Sequence, residues 1–373
     1  MRYSYCTTSN MKKFFTNYND IVLKIESINP VKYAGTRNYK NGNVTRLSPY
    51  ISRGVISTRF IYNKIIERGI NLKKCEKFVQ ELAWRDFWQQ IWVNKIDDIN
   101  NDLKRSQEEV NDFKISKSLV NAEIKINAID EEIKNLYKNG YMHNHMRMYV
   151  ASVATNIAKS HWKTPARWMY YYLLDGDWAS NALSWQWVAG SNSNKKYYAN
   201  QENINKFFFD NQKNTFLDKS YEDLISMRIP EEVNDKIDLN LKTILPKKAP
   251  INIDPKIPTL LYNYYNLDPT WRTDEKCNRI LILEPMIFDK YPVSQTCIDF
   301  ILKLSNNIQN IQIYVGNLNQ LKKDYSIDKF IFKEHPLNKH YTGIEDERDW
   351  LYKVEGEYLS FFKYWNKIRK KII

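Results

Sequence analysis

The feature that most constrains the fold is a helical periodicity that extends from residue 20 to about residue 210. Apolar residues recur along it at i, i+3 and i+4, with almost none of the alternation that is typical of strands. Seven of the ten glycines lie between the periodic stretches or at their ends, where glycine ends helices or tightens turns. They are Gly35, Gly42, Gly54, Gly69, Gly140, Gly176 and Gly190. The pattern predicts an α-helical domain over residues 1–212.

The chain changes character after this domain. Five of the 12 prolines lie between residues 230 and 258 among Lys and Asp residues, which predicts an extended Pro/Lys-rich connector over residues 213–272. Residues 273–373 are predicted to form a small α/β domain that closes with a helix. The expected fold class is therefore mainly α, an all-helical domain followed by a small C-terminal α/β region.

The last part of the chain carries the strand signals. The apolar runs ILILEP (280–285) and IQIYV (311–315) flank a helical stretch near 293–307, as the strands of a βαβ unit do. Residues 330–332, FIF, are a candidate third strand, and the closing segment EYLSFFKYWNKIRKKII has the apolar stripe of a docked helix. This region lacks a Gly-rich phosphate loop, so its sequence gives no support for a nucleotide site.

Composition excludes several classes of protein. The 373 residues are enough for a large core and two domains, and no run approaches the roughly 18 apolar residues of a membrane helix. The first residues lack a secretory pattern, so we expect a cytoplasmic protein. Four dispersed cysteines without a C-x-x-C pair predict free thiols and neither a disulfide framework nor a metal site. They are Cys6, Cys75, Cys277 and Cys297.

The charge balance gives a weak functional signal. Lys and Arg total 56 against 43 Asp and Glu, a net charge of +13 that would attract a polyanion such as nucleic acid. The chain is also rich in Asn, Ile and Lys, as expected for an AT-rich genome. Charge alone therefore leaves nucleic-acid binding open.

The first chemically distinctive segment is FVQELAWRDFWQQIW. Its charged and aromatic residues fall at i, i+3 and i+4 steps along one helical face: Phe78, Glu81, Trp84, Arg85 and Trp88. Charges among aromatics must be paired or bound to a ligand, because burying a lone charge costs several kcal/mol. An i,i+4 pair between Glu81 and Arg85 on a half-exposed helix is the structural alternative.

The second segment is GYMHNHMRMYV, in which Asn144, Arg147 and Met148 share a helical face that could line a wet pocket. His143 and His145 flank this face. Two residues at i,i+2 point about 200° apart on a helix, so we expect no zinc site here.

The third segment, LLDGDWASNALSWQWVAGS, is the most unusual. Two carboxylates bracket Gly176, an Asn follows, and tryptophans close the run: Asp175, Asp177, Asn181, Trp185 and Trp187, with Trp162 and Trp168 upstream. Each tryptophan alone could be core filler. The polar residues beside them indicate a polar ligand.

The fourth segment, NVTRLSPYISRG, places Thr45, Arg46 and Ser48 before Pro49. A Ser-Pro helix start with free amides and an Arg suits a phosphate group. An ordinary Ser N-cap is an equally good interpretation.

Taken in order, these four segments resemble the FAD-binding domain of the photolyase/cryptochrome family over roughly residues 30–207. The resemblance implies that FAD is the cofactor and that the isoalloxazine folds over its adenine. It also implies that Arg147 pairs with an Asp of the D-G-D run and that Asn181 lies beside flavin N5. The implied FAD-binding residues are Tyr33, Thr45, Arg46, Leu47, Ser48, Arg85, Arg147, Asp175, Asp177 and Asn181.

The same resemblance implies a substrate cavity and an electron relay. The residues implied to line the cavity and act in catalysis are Glu81, Trp84, Asn144, Met148 and Trp187. Trp185 and Trp162 match two steps of the tryptophan chain along which family members photoreduce their flavin. No tryptophan occurs between Trp92 and Trp162, where the third member usually lies. The alternative exits are Trp168, Trp178 and the tyrosines at 170–172.

The family resemblance favours light-driven repair of cyclobutane pyrimidine dimers in DNA. Members that repair the (6-4) photoproduct use proton chemistry and carry His where this chain has Asn144 and Met148. DNA contacts are expected from Arg37, His145, Lys195 and Lys196. The alternatives are a cryptochrome-like blue-light photoreceptor and a flavin-free nucleic-acid-binding scaffold.

One architectural departure accompanies the resemblance. Family members normally carry an α/β antenna domain before the FAD domain, whereas this chain begins almost at the FAD domain and is expected to have its α/β part at the C-terminal end. No motif there identifies an antenna site. We therefore expect FAD as cofactor, no metal, and UV-damaged DNA as partner.

Overall fold

The computed structural model describes residues 14–358 and 360–373. Helices dominate the first part of the chain, as predicted. They are α1 (Tyr18–Ser27), α2 (Pro30–Thr36), α3 (Ser48–Ser52), α4 (Thr58–Glu67), α5 (Glu76–Lys95), α6 (Lys117–Asn121), α7 (Asn127–Asn139), α8 (Asn144–Ser152), α9 (Lys163–Tyr172), α10 (Trp178–Ala189), α11 (Gln201–Phe208) and α12 (Tyr221–Ser226).

Local sequence explains where the central helices begin and end. The Asp177 carboxylate accepts a hydrogen bond from the Ser180 backbone amide and caps the start of α10. Gly190, at φ 86°, ends the same helix in the left-handed conformation that glycine tolerates best. Helix α10 packs against α5, α8 and α9, so the third segment of the sequence lies at the centre of the domain.

The first part is not entirely helical. Strand β1 (Ile115–Ser116) pairs in antiparallel fashion with β2 (Lys236–Ile237), and Val153–Ile157 extends α8 as a π-helical turn. The two-stranded pairing attaches the predicted connector to the helical domain.

The C-terminal region contains a five-stranded parallel sheet in the order β5-β4-β3-β6-β7. This is the doubly wound arrangement, in which the first strand lies at the centre and the chain moves outward to both edges. Its elements are β3 (Thr259–Tyr262), β4 (Asn278–Leu283), α13 (Pro285–Lys290), α14 (Gln295–Ser305), β5 (Ile311–Val315), α15 (Leu318–Tyr325), β6 (Phe330–Lys333), β7 (Ile344–Asp346) and α16 (Phe361–Ile372).

The predicted connector differs from the structure in one respect. Residues 213–272 are extended only in part, since they contain α12, β2 and the central strand β3. The sheet therefore begins before residue 273. Strand β3 is a run of four buried residues directly after Pro258, which is too short for its periodicity to separate it from a connector.

Buried polar contacts join the α/β region to the helical domain. The Arg53 side chain, which is fully buried, donates to the backbone carbonyls of Tyr264 and Gly176, and its guanidinium lies 3.7 Å from the centre of the Tyr264 ring. Asp86 of α5 accepts hydrogen bonds from Thr58 Oγ1 at 2.9 Å and from the Leu351 backbone amide at 2.6 Å. These contacts hold both parts around α5.

Within the described ranges, no helix has the length and apolarity needed to cross a membrane. Cys75, Cys277 and Cys297 are free thiols, as predicted, and Cys6 lies outside the described residues.

Candidate cofactor and substrate cavity

A cavity of about 780 Å³ opens between α2, the segment 44–48, α5, α8, α10 and the start of α16. It brings together all the predicted FAD-binding and catalytic residues and the first relay tryptophan. These are Tyr33, Thr45, Arg46, Leu47, Ser48, Glu81, Trp84, Arg85, Asn144, Arg147, Met148, Asp175, Asp177, Asn181, Trp185 and Trp187.

An ion pair fixes one side of the cavity. Arg147 Nη2 lies 3.0 and 2.9 Å from the two carboxylate oxygens of Asp175, and Arg147 Nε donates to the Met142 carbonyl at 2.9 Å. The Asp175 side chain is buried. The pair expected between Arg147 and the D-G-D run is thus present, with one guanidinium nitrogen donating to both carboxylate oxygens.

Arg85 does not pair with Glu81. The Arg85 guanidinium donates to Ser52 Oγ, whereas Glu81 forms ion pairs with Lys77 at 3.0 Å and Arg37 at 3.7 Å. Burial lowers the pKa of Arg85, and the carboxylates of Asp177 and Asp175 oppose this shift. The i,i+4 alternative is therefore wrong, and Arg85 turns toward the acidic part of the cavity.

Helix α10 presents a set of oriented polar groups. The Asn181 amide nitrogen donates to the Ala166 carbonyl at 2.8 Å, which fixes the orientation of the side-chain amide. Asp177 also accepts from the Gln89 side chain. Ser180 Oγ is buried in the cavity wall and has no hydrogen-bond partner among the described residues, and such an unsatisfied hydroxyl indicates a polar ligand.

The Thr45–Ser48 segment is built differently from an ordinary Ser cap. Ser48 is the first residue of α3, Leu47 occupies the N-cap position without a side-chain bond, and Arg46 adopts a positive φ of 54°. The Arg46 guanidinium lies 5.3 Å from the centre of the Tyr141 ring, and that of Arg147 lies 5.5 Å from it. Two cations are thus stacked about one aromatic ring at the cavity wall.

The structure adds a wall that the sequence patterns did not identify. Phe361, at the start of α16, stacks on Trp84 with ring centres 3.7 Å apart and planes 8° apart. Ser360 and Phe362 also line the cavity. The apolar stripe of the closing segment was visible in the sequence, but a stripe carries no information about which surface it covers.

The second tryptophan predicted for the relay lies outside the cavity. Trp162 is fully buried, and its indole N–H donates to Asp102 Oδ1 at 2.6 Å. Trp178 is one of the alternative electron exits. Its ring lies edge-on to that of Tyr170 with ring centres 5.5 Å apart, and its ring centre lies 5.6 Å from that of Tyr291. Trp178 is thus in aromatic contact with Tyr170 of the helical domain and with Tyr291 of the α/β region.

The residues predicted to contact DNA differ in their exposure and in their partners. His145 is buried against Phe207 and bonds to the Asn38 carbonyl, and burial lowers its pKa, so the ring lies inside the domain instead of on its surface. Lys196 pairs with Glu109 at 2.6 Å, and Lys195 is exposed. Arg37 is tied to Glu81.

The cavity fits FAD in size and in chemistry. Its volume lies in the range of roughly 300–1,000 Å³ that is typical of cofactor pockets. Arginine and hydroxyl side chains at one end of the cavity suit the phosphates of FAD. Carboxylate and amide side chains suit its hydroxyl groups and the polar atoms of its rings. Tryptophans suit the flat faces of those rings. The orphaned Ser180 hydroxyl is a further sign that a polar ligand completes this wall.

Comparison with known proteins agrees with this geometry. Residues 78–219 match the FAD binding domain of DNA photolyase. The chain is 32% identical over 161 residues to a deoxyribodipyrimidine photo-lyase of Alkalihalophilus pseudofirmus, covering 42% of this chain and 34% of that protein. It is 30% identical over 167 residues to a cryptochrome DASH of Danio rerio, covering 42% of this chain and 32% of that protein.

Among solved structures, the cryptochrome of Synechocystis sp. PCC6803 matches at 21% identity and a TM-score of 0.48, covering 53% of this chain and 45% of that one. The alignments span about a third of the length of the curated relatives.

The helical fold and its cavity thus define a flavoprotein domain that binds FAD. Through this domain the chain is similar to the photolyase/cryptochrome family.

Proposed function

We propose that this protein is a light-driven DNA repair enzyme that splits cyclobutane pyrimidine dimers. The observation that carries the proposal is one cavity lined both by the FAD-binding set and by Glu81, Trp84, Asn144, Met148 and Trp187. Bound reduced FAD supplies, on excitation by light, an electron that opens the cyclobutane ring and then returns. The protein therefore has to bind and orient the lesion and to exclude water from the cavity.

The cavity residues suit a pair of pyrimidines taken out of the DNA stack. The Glu81 carboxylate, held by Lys77, can accept hydrogen bonds from the imide N–H groups of thymine. The Asn144 amide can donate to and accept from base edges, and the Trp187 ring, 39% exposed, offers a face for stacking. A damaged, poorly stacked site is the least costly to extrude, by a few kcal/mol.

The choice of lesion rests on what the cavity can protonate. Repair of the (6-4) photoproduct needs a proton donor of the histidine type, and no histidine lines this cavity in the described part of the chain. His143 is buried nearby, where burial lowers its pKa to about 4 and keeps the ring neutral near pH 7. Cyclobutane dimers need no such donor.

The test is a repair assay on the purified, chemically reduced protein with oligo(dT) that contains dimers. We expect dimers to disappear under blue light and to persist in the dark. Persistence under light, with FAD bound and reduced, would sink the proposal.

A second candidate is a blue-light sensor, which the similarity to a cryptochrome DASH favours. In that case light would change the protease sensitivity of residues 213–373 without any loss of dimers. Limited proteolysis in light and darkness, run beside the repair assay, separates the two functions.

A further inference from the structure

The exposed face of α16 carries a charge pattern that the FAD site does not explain. The helix FFKYWNKIRKKI contains five basic residues and no acidic one. Arg369 is engaged by Glu76, with Nε 2.5 Å from Oε1. The four lysines are exposed, and in the described part of the chain none forms an ion pair: Lys363, Lys367, Lys370 and Lys371.

The position of this helix relates the charge to the cavity. Its first residue, Phe361, is stacked on Trp84 in the cavity wall, and Phe362 lines the cavity while 64% exposed. Lys363, Lys367 and Lys370 follow at i, i+4 and i+7, so they lie on one side of the helix over about 10 Å. A strip of cations therefore leads away from an exposed aromatic ring at the cavity mouth.

Helix α16 has already buried its apolar face in the protein. Phe361, Tyr364, Trp365, Ile368 and Ile372 are buried, and α16 packs on α5. A helix that binds a lipid surface needs that face free. The exposed residues are Phe362, Asn366, Arg369 and the four lysines. One exposed aromatic ring beside several cations matches single-stranded nucleic acid, where bases stack and phosphates bind cations.

We infer that α16 is a binding surface for the DNA strand that enters the cavity, with Phe362 stacking on a base beside the lesion and Lys363 and Lys367 contacting its phosphates. The inference rests on the proposed DNA substrate and adds to it a contact surface outside the matched FAD domain. Phe361 covers one face of Trp84, so a base cannot stack on that face. Phe362 is the aromatic ring that remains exposed at this side of the cavity mouth.

The test is binding of fluorescent single-stranded oligo(dT) in the dark, measured by anisotropy as a function of salt. In Lys363→Gln/Lys367→Gln, the slope of log affinity against log salt should fall by about 1.4, because each phosphate contact contributes about 0.7 on single strands. Phe362→Ala should weaken binding roughly 5- to 150-fold, the range for loss of one stacked base.

The matched control is Lys322→Gln/Lys323→Gln on α15, which removes the same charge from a helix that does not line the cavity. Flavin absorbance and circular dichroism verify that each variant is folded and loaded. Equal affinity and slope in wild type, Lys363→Gln/Lys367→Gln and Phe362→Ala would overturn the inference, as would a wild type that does not bind. A wild type that binds through α16 but repairs nothing would refute the proposed function alone.

Discussion

Asn181 shows how a single residue on α10 is prepared for its proposed role. Its amide nitrogen is held by the Ala166 carbonyl, which leaves the side chain fixed in the cavity wall. The motif predicted this residue, but only the fold could supply the partner that orients it. A neutral amide at this place tolerates a negative charge on the reduced flavin ring better than a carboxylate would.

We expect Asn181→Asp to lower the flavin midpoint potential by tens of millivolts. A carboxylate beside the bound flavin, where the resemblance puts this residue, would repel the anionic reduced ring by about 1–4 kcal/mol. Anaerobic spectral titration measures the change. Asn194→Asp adds the same charge at an exposed position of the cavity rim and should change the potential much less. Equal shifts in both variants would argue against the location given to Asn181.

Asp86 is a buried acid that faces the C-terminal region, and burial raises its pKa from 3.8 to about 6 despite bonds from Leu351 and Thr58. The folded state therefore holds this proton more tightly than the unfolded state. The stabilising contribution is complete below the unfolded pKa and is lost as the pH rises through the folded pKa. The sequence showed the acid but not its burial.

The wild-type free energy of unfolding should accordingly lose up to about 3 kcal/mol from this residue between pH 3.5 and pH 7, and Asp86→Asn should not show that loss. Denaturant unfolding at the two pH values measures the difference between the proteins. The exposed Asp274→Asn serves as the control and should track the wild type. A constant gap between Asp86→Asn and wild type would contradict the account.

At the level of elements, Gly140 joins α7 to the segment that precedes α8. It ends α7 at φ 65°, and a Cβ there would lie 2.5 Å from Leu174 Cγ. Asn144 and Met148 of the cavity follow on α8, so their position depends on this turn. Glycine at a helix end was predicted from the sequence, whereas the contact with Leu174 could not be.

Gly140→Ala should destabilise the protein by more than the roughly 1–3 kcal/mol that backbone strain alone costs. Gly69→Ala is the matched control, since Gly69 has φ 66° and open space around its Cβ position. The difference between the two free energies of unfolding isolates the overlap with Leu174. Equal losses would mean that Leu174 moves aside without cost.

The sequence pattern predicts some strands of the sheet and not others. Strands β4, β5 and β6 were predicted because they are apolar runs separated by a helix. Strand β7, IED, has no apolar pattern, since it is a sheet edge whose pairing with β6 is decided by contacts along the sheet. Helical segments with strong motifs were easier, because their chemistry repeats within a few residues.

For the whole molecule, the cavity combines a part that local sequence could define with a part that it could not. Four segments of the helical domain supply the predicted FAD-binding and catalytic sets apart from Tyr33, and each segment was visible as a motif. The wall from α16 is contributed by the other end of the chain. Such a contact depends on how the α/β region packs on α5, and helical periodicity gives no measure of that packing.

The proposed selectivity for cyclobutane dimers is tested by comparing two lesions on the same oligonucleotide sequence. Reduced, FAD-loaded protein is illuminated with DNA that carries either a cyclobutane dimer or a (6-4) photoproduct, and the remaining lesion is quantified by chromatography. We expect light-dependent loss of the cyclobutane dimer and no loss of the (6-4) photoproduct. Loss of the (6-4) photoproduct, or of neither lesion, would mean that the protein does not repair cyclobutane dimers selectively.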